Sequence, residues 1–163
     1  MKRGLAMLAA VAVLAAVGTG LLITRLSAQQ DHQLPRISVY SAGHLIRVGP
    51  FQYCPVLDLD NCELSGEQGE LPVNERDVVQ LSVPGAIAGG PWRLLRVYED
   101  PIDTTVSHYR PDTRFAETIE TVDPHRGRLT GIAVQLMTLV QDENGELFDV
   151  PHAEWSVATV WPD

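Results

Sequence analysis

Residues 4 to 24, GLAMLAAVAVLAAVGTGLLIT, carry no charged side chain; Lys2 and Arg3 precede them and Arg25 closes them. As a helix rising ~1.5 Å per residue the run is about 31 Å long, near the ~30 Å hydrocarbon thickness of a bilayer. A buried core helix of that length ordinarily keeps a polar stripe, and this run has none. Cleavable signal peptides have a shorter apolar stretch, ~7–15 residues, followed by small residues at the cut. The best cut here, after Ala28, puts bulky Leu26 where a small residue is wanted. Residues 1–28 therefore read as a signal-anchor, with a cleaved signal peptide as the alternative. Lys2, Arg3 and the amino terminus stay cytoplasmic and the remainder is exported. With no Cys near residues 20 to 30, a lipoprotein cut is excluded. Residues 29–35 form a polar linker, and residues 36–163 suit one exported domain with its own core. The expected location is the plasma membrane, single-pass, with the C-terminal domain extracytoplasmic, or secreted if the signal is cut.

Charge supports that division. All 21 acidic residues lie beyond Arg25, against nine of the twelve basic ones, so the exported part carries −12. Nucleic acid and anionic membrane surfaces attract basic patches, and neither suits such a domain.

The two cysteines, Cys54 and Cys62 in YCPVLDLDNCE, read as a structural disulfide in an exported domain. Their spacing is not that of a CxxC redox pair. Asp58, Asp60, Asn61 and Glu63 raise a metal-binding loop as one alternative, though the ligand order and central Gly of an EF-hand are missing, and a pair of free thiols is the other.

Beyond the linker the pattern is that of strands. RISVY and HLIRV are short β-branched runs joined through Ser41-Ala42-Gly43. SGEQGE reads as a flexible connector. DVVQLSV alternates, with Val79, Leu81 and Val83 on one face, as a half-buried strand does. Two prolines and three glycines in PGAIAGGP forbid a long helix. WRLLRVYED resumes as a strand, residues 101 to 116 read as a long connection, and ETIETV is a short strand before the DPHRG turn. Residues 128 to 141 are apolar on both faces, which predicts a central strand. Asn144-Gly145 is a strong hairpin signal. In the last run Phe148 and Val150 are even but Trp155, Val157 and Trp161 are odd, so a bulge or sheet switch is expected at Pro151-His152. Around eight strands and no long soluble helix predict an all-β fold, an immunoglobulin-like antiparallel β-sandwich, with a small barrel as the alternative.

No chemistry declares itself. There is no GxSxG elbow, and Ser82 in LSVPG lacks its flanking glycines. Ser107 and His108 are adjacent, so on a strand they point apart. His152-Ala153-Glu154 imitates the start of a zinc deaminase motif, but no PCxxC follows. The five histidines are scattered, and Glu99, Asp100 and Asp103 form an acid-rich turn of the solvated kind. Gly85, Gly89 and Gly90 suit a turn, with no phosphate-cradle pattern. No catalytic residue, metal site or cofactor is expected. What remains is an interleaving of aromatic and arginine residues: Trp92, Arg93, Arg96 and Tyr98 on one strand, Tyr109, Arg110, Arg114 and Phe115 on the connection. Trp, Tyr and Arg dominate interface energetics, so these eight are the candidate partner-binding residues. The competing reading puts Trp92 and Tyr98 in the core and pairs the arginines with carboxylates.

The segments QLSVP, PWRLLRVYEDP, RPDTRFAETIETVDPHRGRLTGIAVQL and GELFDVPHAEWSV resemble the exported actinobacterial family known as domain of unknown function 2771. The resemblance spans about residues 36 to 162 and includes the GPFQYC and NC segments. It implies an actinobacterial envelope protein with one N-terminal hydrophobic segment, and carries over no catalytic residues. The expected function is non-enzymatic: a membrane-tethered accessory or interaction subunit whose partner is an integral membrane or envelope protein complex. The alternative is an extracytoplasmic carrier of a lipid or small molecule, which requires an apolar cavity of several hundred Å3.

Overall fold

The structure, a computed structural model, describes residues 34–162, together with Ala15 and residues 17–20, which are helical. The expectations for the signal-anchor and for most of the linker fall outside the described residues; among these no helix is long and apolar enough to cross a membrane. Residues 35–163 form a unit of their own, and that unit is all-β.

Two sheets share its core. The first has the order β2-β1-β6-β9, built from β1 (Ile37–Ser41), β2 (His44–Val48), β6 (Val78–Ser82) and β9 (Ala116–Glu120). The second runs β4-β3-β12-β11-β7-β8, from β3 (Gln52–Tyr53), β4 (Glu63–Leu64), β7 (Trp92–Tyr98), β8 (Thr105–Tyr109), β11 (Gly127–Gln141) and β12 (Leu147–Val160). Short β10 (Val122–Asp123) pairs with β11, and β5 (Gln68–Pro72) lies parallel to β12. Every other pairing is antiparallel.

Alternation fills the space between the sheets. Ile37 and Val39 on β1, Val79 and Leu81 on β6, and Ile119 on β9 point inward from one side. Trp92, Leu94, Val134, Trp155 and Val157 meet them from the other, all in one buried cluster. Each fully buried aliphatic side chain contributes ~1.5–3 kcal/mol, so this cluster is the main source of stability. The β1–β2 turn places Ala42 (φ 48°) and Gly43 (φ 83°) in the left-handed region, the two-residue geometry whose twist suits a hairpin. PGAIAGGP folds as one short helix, α1 (Gly85–Ala88), which buries Ile87 and Ala88.

Three expectations change. Residues 101 to 116 are not one connection, since Thr105–Tyr109 is the edge strand β8. It pairs on one side only, and Thr105, Ser107 and Tyr109 are its half-buried face, so its apolar signal is weak. The end of SGEQGE is not a flexible connector: Gln68–Pro72 is β5, held by the parallel pairing to β12. The strands among the described residues number twelve, three of them only two residues long.

The parity shift at Pro151-His152 is a bulge. Leu136 opposes Ala153 while Met137 opposes Pro151, leaving His152 as the extra residue. It is buried, its Nδ1 lies 3.0 Å from the Cys54 carbonyl, and its own carbonyl accepts from the Cys54 N–H at 2.7 Å. The disulfide joins Cys54 to Cys62 with Cα atoms 4.1 Å apart.

Candidate binding site: the ribbon and the aromatic notch

β11 and β12 outrun their neighbours. β7 accompanies β11 only as far as Leu136, and β3 accompanies β12 only from Ala153. Beyond those points, among the described residues, residues 138 to 150 pair solely with each other, closed by a turn in which Gly145 takes φ 86°. The Asp142 carboxylate holds that turn, accepting from the N–H groups of Asn144 (2.9 Å) and Glu146 (2.8 Å). Those donors, the Glu146 N–H first, hold the Asp142 carboxyl below its ordinary value.

The ribbon is apolar where it has no cover. Thr138, Val140, Phe148 and Val150 share one face, and Leu139 and Leu147 lie on the other. Leu139 is 62% exposed, Leu147 64% and Phe148 46%. The both-face apolar pattern therefore reports a central strand only up to Met137; from Leu139 on, the same pattern is solvent-facing. An isolated two-stranded ribbon is marginal in water, and exposed apolar area of this kind marks contact surfaces.

At the base of the ribbon is a notch of about 270 Å3. Trp92, Tyr109 and Arg110 line it from the ends of β7 and β8, and Met137 and Asp149 line it from the ribbon. The β7–β8 register sets Trp92 directly opposite Tyr109. Their rings stack with centroids 4.2 Å apart and planes inclined by 28°. The Trp92 indole N–H is buried without a hydrogen-bond partner among the described residues. Leaving such a donor unmet costs ~1–3 kcal/mol. The Arg110 side chain has no ion pair among the described residues.

The structure divides the eight candidate residues. Trp92, Tyr109 and Arg110 come together in the notch. Arg93 points to the opposite face of the sheet, where its Nε donates to the Gln135 side chain, which donates in turn to Glu154. Arg96 crosses between the sheets, donating to Ser107 Oγ at 2.8 Å and reaching Glu117 at 3.5 Å. Arg114 reaches the same carboxylate at 3.6 Å. Tyr98 is buried beside Arg96, and Phe115 is exposed next to β9. Met137, Asp149 and the ribbon itself escaped sequence reasoning. The available signal was the length of β11 and β12 compared with the seven residues of β7.

Two larger clefts are already satisfied internally. One of about 330 Å3 at the far end of β12 holds Arg128, but that guanidinium sits 4.9 Å over the Trp161 ring and pairs with Glu75 at 2.9 Å. One of about 350 Å3 beside Arg96 contains Arg126 paired with Asp123 at 3.0 Å.

The fold and site define a disulfide-bonded, two-sheet all-β domain bearing an exposed ribbon, and the disulfide fits an oxidising, extracytoplasmic compartment. The chain belongs to the family described as protein of unknown function (DUF2771), whose model matches residues 30–160. It is 58% identical to the uncharacterized protein Rv0875c of Mycobacterium tuberculosis strain H37Rv over 166 residues, covering 99% of this chain and 100% of that one. The uncharacterized protein Mb0899c of Mycobacterium bovis is similar to the same degree over the same span. No solved structure matches the chain.

Proposed function

We propose that this chain is a non-enzymatic accessory or interaction subunit of a membrane or cell-envelope complex, with an immunoglobulin-like domain held outside the plasma membrane by residues 4–24. The observation that carries the reading is the ribbon of residues 138 to 150, which exposes Leu139, Leu147 and Phe148 beside an aromatic notch. A lone domain gains nothing in stability from apolar side chains left in water; a subunit gains binding energy when they are covered. The filled core favours this reading over carriage of a lipid or small molecule, because Trp92, Leu94, Val134 and Trp155 occupy the space between the sheets. The apolar, charge-free run at residues 4–24 and the acidic charge of the rest support the tether.

The test is extraction of the full chain from cross-linked cells with mild detergent. It is expected to retain its N-terminus and to migrate in an assembly well above its own 17.9 kDa. A chain recovered alone after cross-linking would overturn the proposal.

A further inference from the structure

The ladder between β11 and β12 fixes which backbone groups the ribbon leaves free. The Met137 N–H donates to the Pro91 carbonyl on the β7 side at 2.8 Å, and its partner Pro151 has no N–H to exchange. Successive residues of an antiparallel strand alternate in the direction of their backbone groups. Thr138 and Val140 therefore bond to Val150 and Phe148 within the ribbon. The Asp142 N–H, bonded to the Glu146 carbonyl at 2.9 Å, keeps the same phase at the turn. Leu139 consequently presents both its N–H and its carbonyl outward, on the edge that overlooks the notch.

An open strand edge is a template for another strand, and soluble proteins usually blunt it with cations, proline or a covering loop. Here the edge is flanked instead by apolar Leu139 and Met137 and by the Trp92–Tyr109 stack. The charges on the ribbon itself are all acidic: Asp142, Glu143, Glu146 and Asp149, with no Lys or Arg in residues 129 to 163; the notch at its base holds one cation, Arg110, across from Asp149. A second copy docked ribbon to ribbon would bring eight carboxylates together with no cation on either ribbon to offset them. An anionic lipid surface would be repelled in the same way.

We propose, resting on the interaction-subunit reading above, that the β11 edge at Leu139 accepts an extended strand from a different protein. That strand alternates apolar residues, which enter the notch over Trp92, Tyr109 and Met137, with Lys or Arg residues, which face the acidic turn. Main-chain hydrogen bonds supply affinity, and the notch and the carboxylates supply register.

The experiment places a photo-activatable phenylalanine at position 139 or 148 of the full chain in its native cells, and at the exposed positions Leu45 and Ile102 as controls. Adducts are read by mass spectrometry of the cross-linked peptide. The expected result is an adduct from 139 and 148 to a peptide of another protein that carries Lys or Arg beside apolar residues. Leu139→Pro removes the outward N–H without touching a β11–β12 ladder bond and is tolerated at an edge. With the probe at 148 it is expected to reduce the adduct about tenfold, the cost of one unmet backbone partner. If Leu139→Pro fails to fold, the paired reversal Glu143→Lys, Glu146→Lys decides instead, with the same loss expected. Adducts to another copy of this chain, to lipid, or to a peptide without cations overturn the strand. So does a yield that neither substitution changes. Adducts at Leu45 or Ile102 with none at 139 and 148 overturn this inference and leave the accessory role standing; no protein adduct at any position overturns both.

Discussion

The closed side of the sandwich depends on a single missing side chain. Gly69, the second residue of β5, lies where β2 folds over the second sheet. A Cβ placed there would sit 2.5 Å from Val48 Cγ2, 3.0 Å from Ile46 Cδ1 and 3.3 Å from Val157 Cγ2. Carbon atoms prefer ~3.5–4.0 Å, and Val48 and Val157 are both buried, so the nearest neighbours cannot simply swing aside. Overpacking of this kind costs ~1–3 kcal/mol. At about 4 °C per kcal/mol for a domain of this size, Gly69→Ala is expected to lower Tm by roughly 4–12 °C. Urea unfolding is the assay, with the midpoint falling and the slope unchanged. Val48→Ala removes the closest obstacle, so the double variant is expected to be less destabilised than the sum of the singles by about 1 kcal/mol or more. A Gly69→Ala protein within ~0.5 kcal/mol of the parent, or strictly additive singles, would refute the close approach of β2 and β5.

Thiol reagents are expected to leave the native domain unlabelled until a reductant is added. Opening the Cys54–Cys62 link then destabilises by about 2.5 kcal/mol in the chain-entropy picture, read as a drop in urea midpoint. For Asp142 the sign follows from its lowered carboxyl: the contribution to turn stability is present above its ordinary 3.8 and is lost as pH falls through a lower folded value. The amide shifts of Asn144 and Glu146 are expected to titrate together with a midpoint below 3.8, and a midpoint at or above that value would contradict the capping role.

Much of the fold was legible because it rests on local pattern. β-branched runs around a turn marked β1 and β2, alternation marked β6, the Asn-Gly pair marked the β11–β12 turn, and the parity change marked the bulge at His152. What stayed hidden depends on which strand lies beside which. β8 puts Thr105, Ser107 and Tyr109 on its half-buried face and leaves Val106 exposed, so it shows no apolar alternation, and β5 is a strand only because β12 runs parallel beside it. The apolar run through Val140 reads the same in a core as on an exposed ribbon, since nothing in its own residues records that β7 begins at Trp92. The candidate residues fared similarly. Sequence gathered aromatic and basic side chains, but the strand register decided that Trp92 meets Tyr109 while Arg96 and Arg114 converge on Glu117. Met137 and Asp149 enter the notch from a hairpin far along the chain, and no motif connects them to Trp92.

Amide hydrogen exchange at Leu139 distinguishes an open strand edge from one covered by a partner strand. In the purified protein the Leu139 N–H points to solvent and is expected to exchange rapidly, while those of Thr138 and Val140 are protected by the β11–β12 ladder. In native membranes, with the partner strand in place, Leu139 is expected to become as protected as its neighbours. Equal and rapid exchange of Leu139 in both settings would mean that no strand docks on this edge.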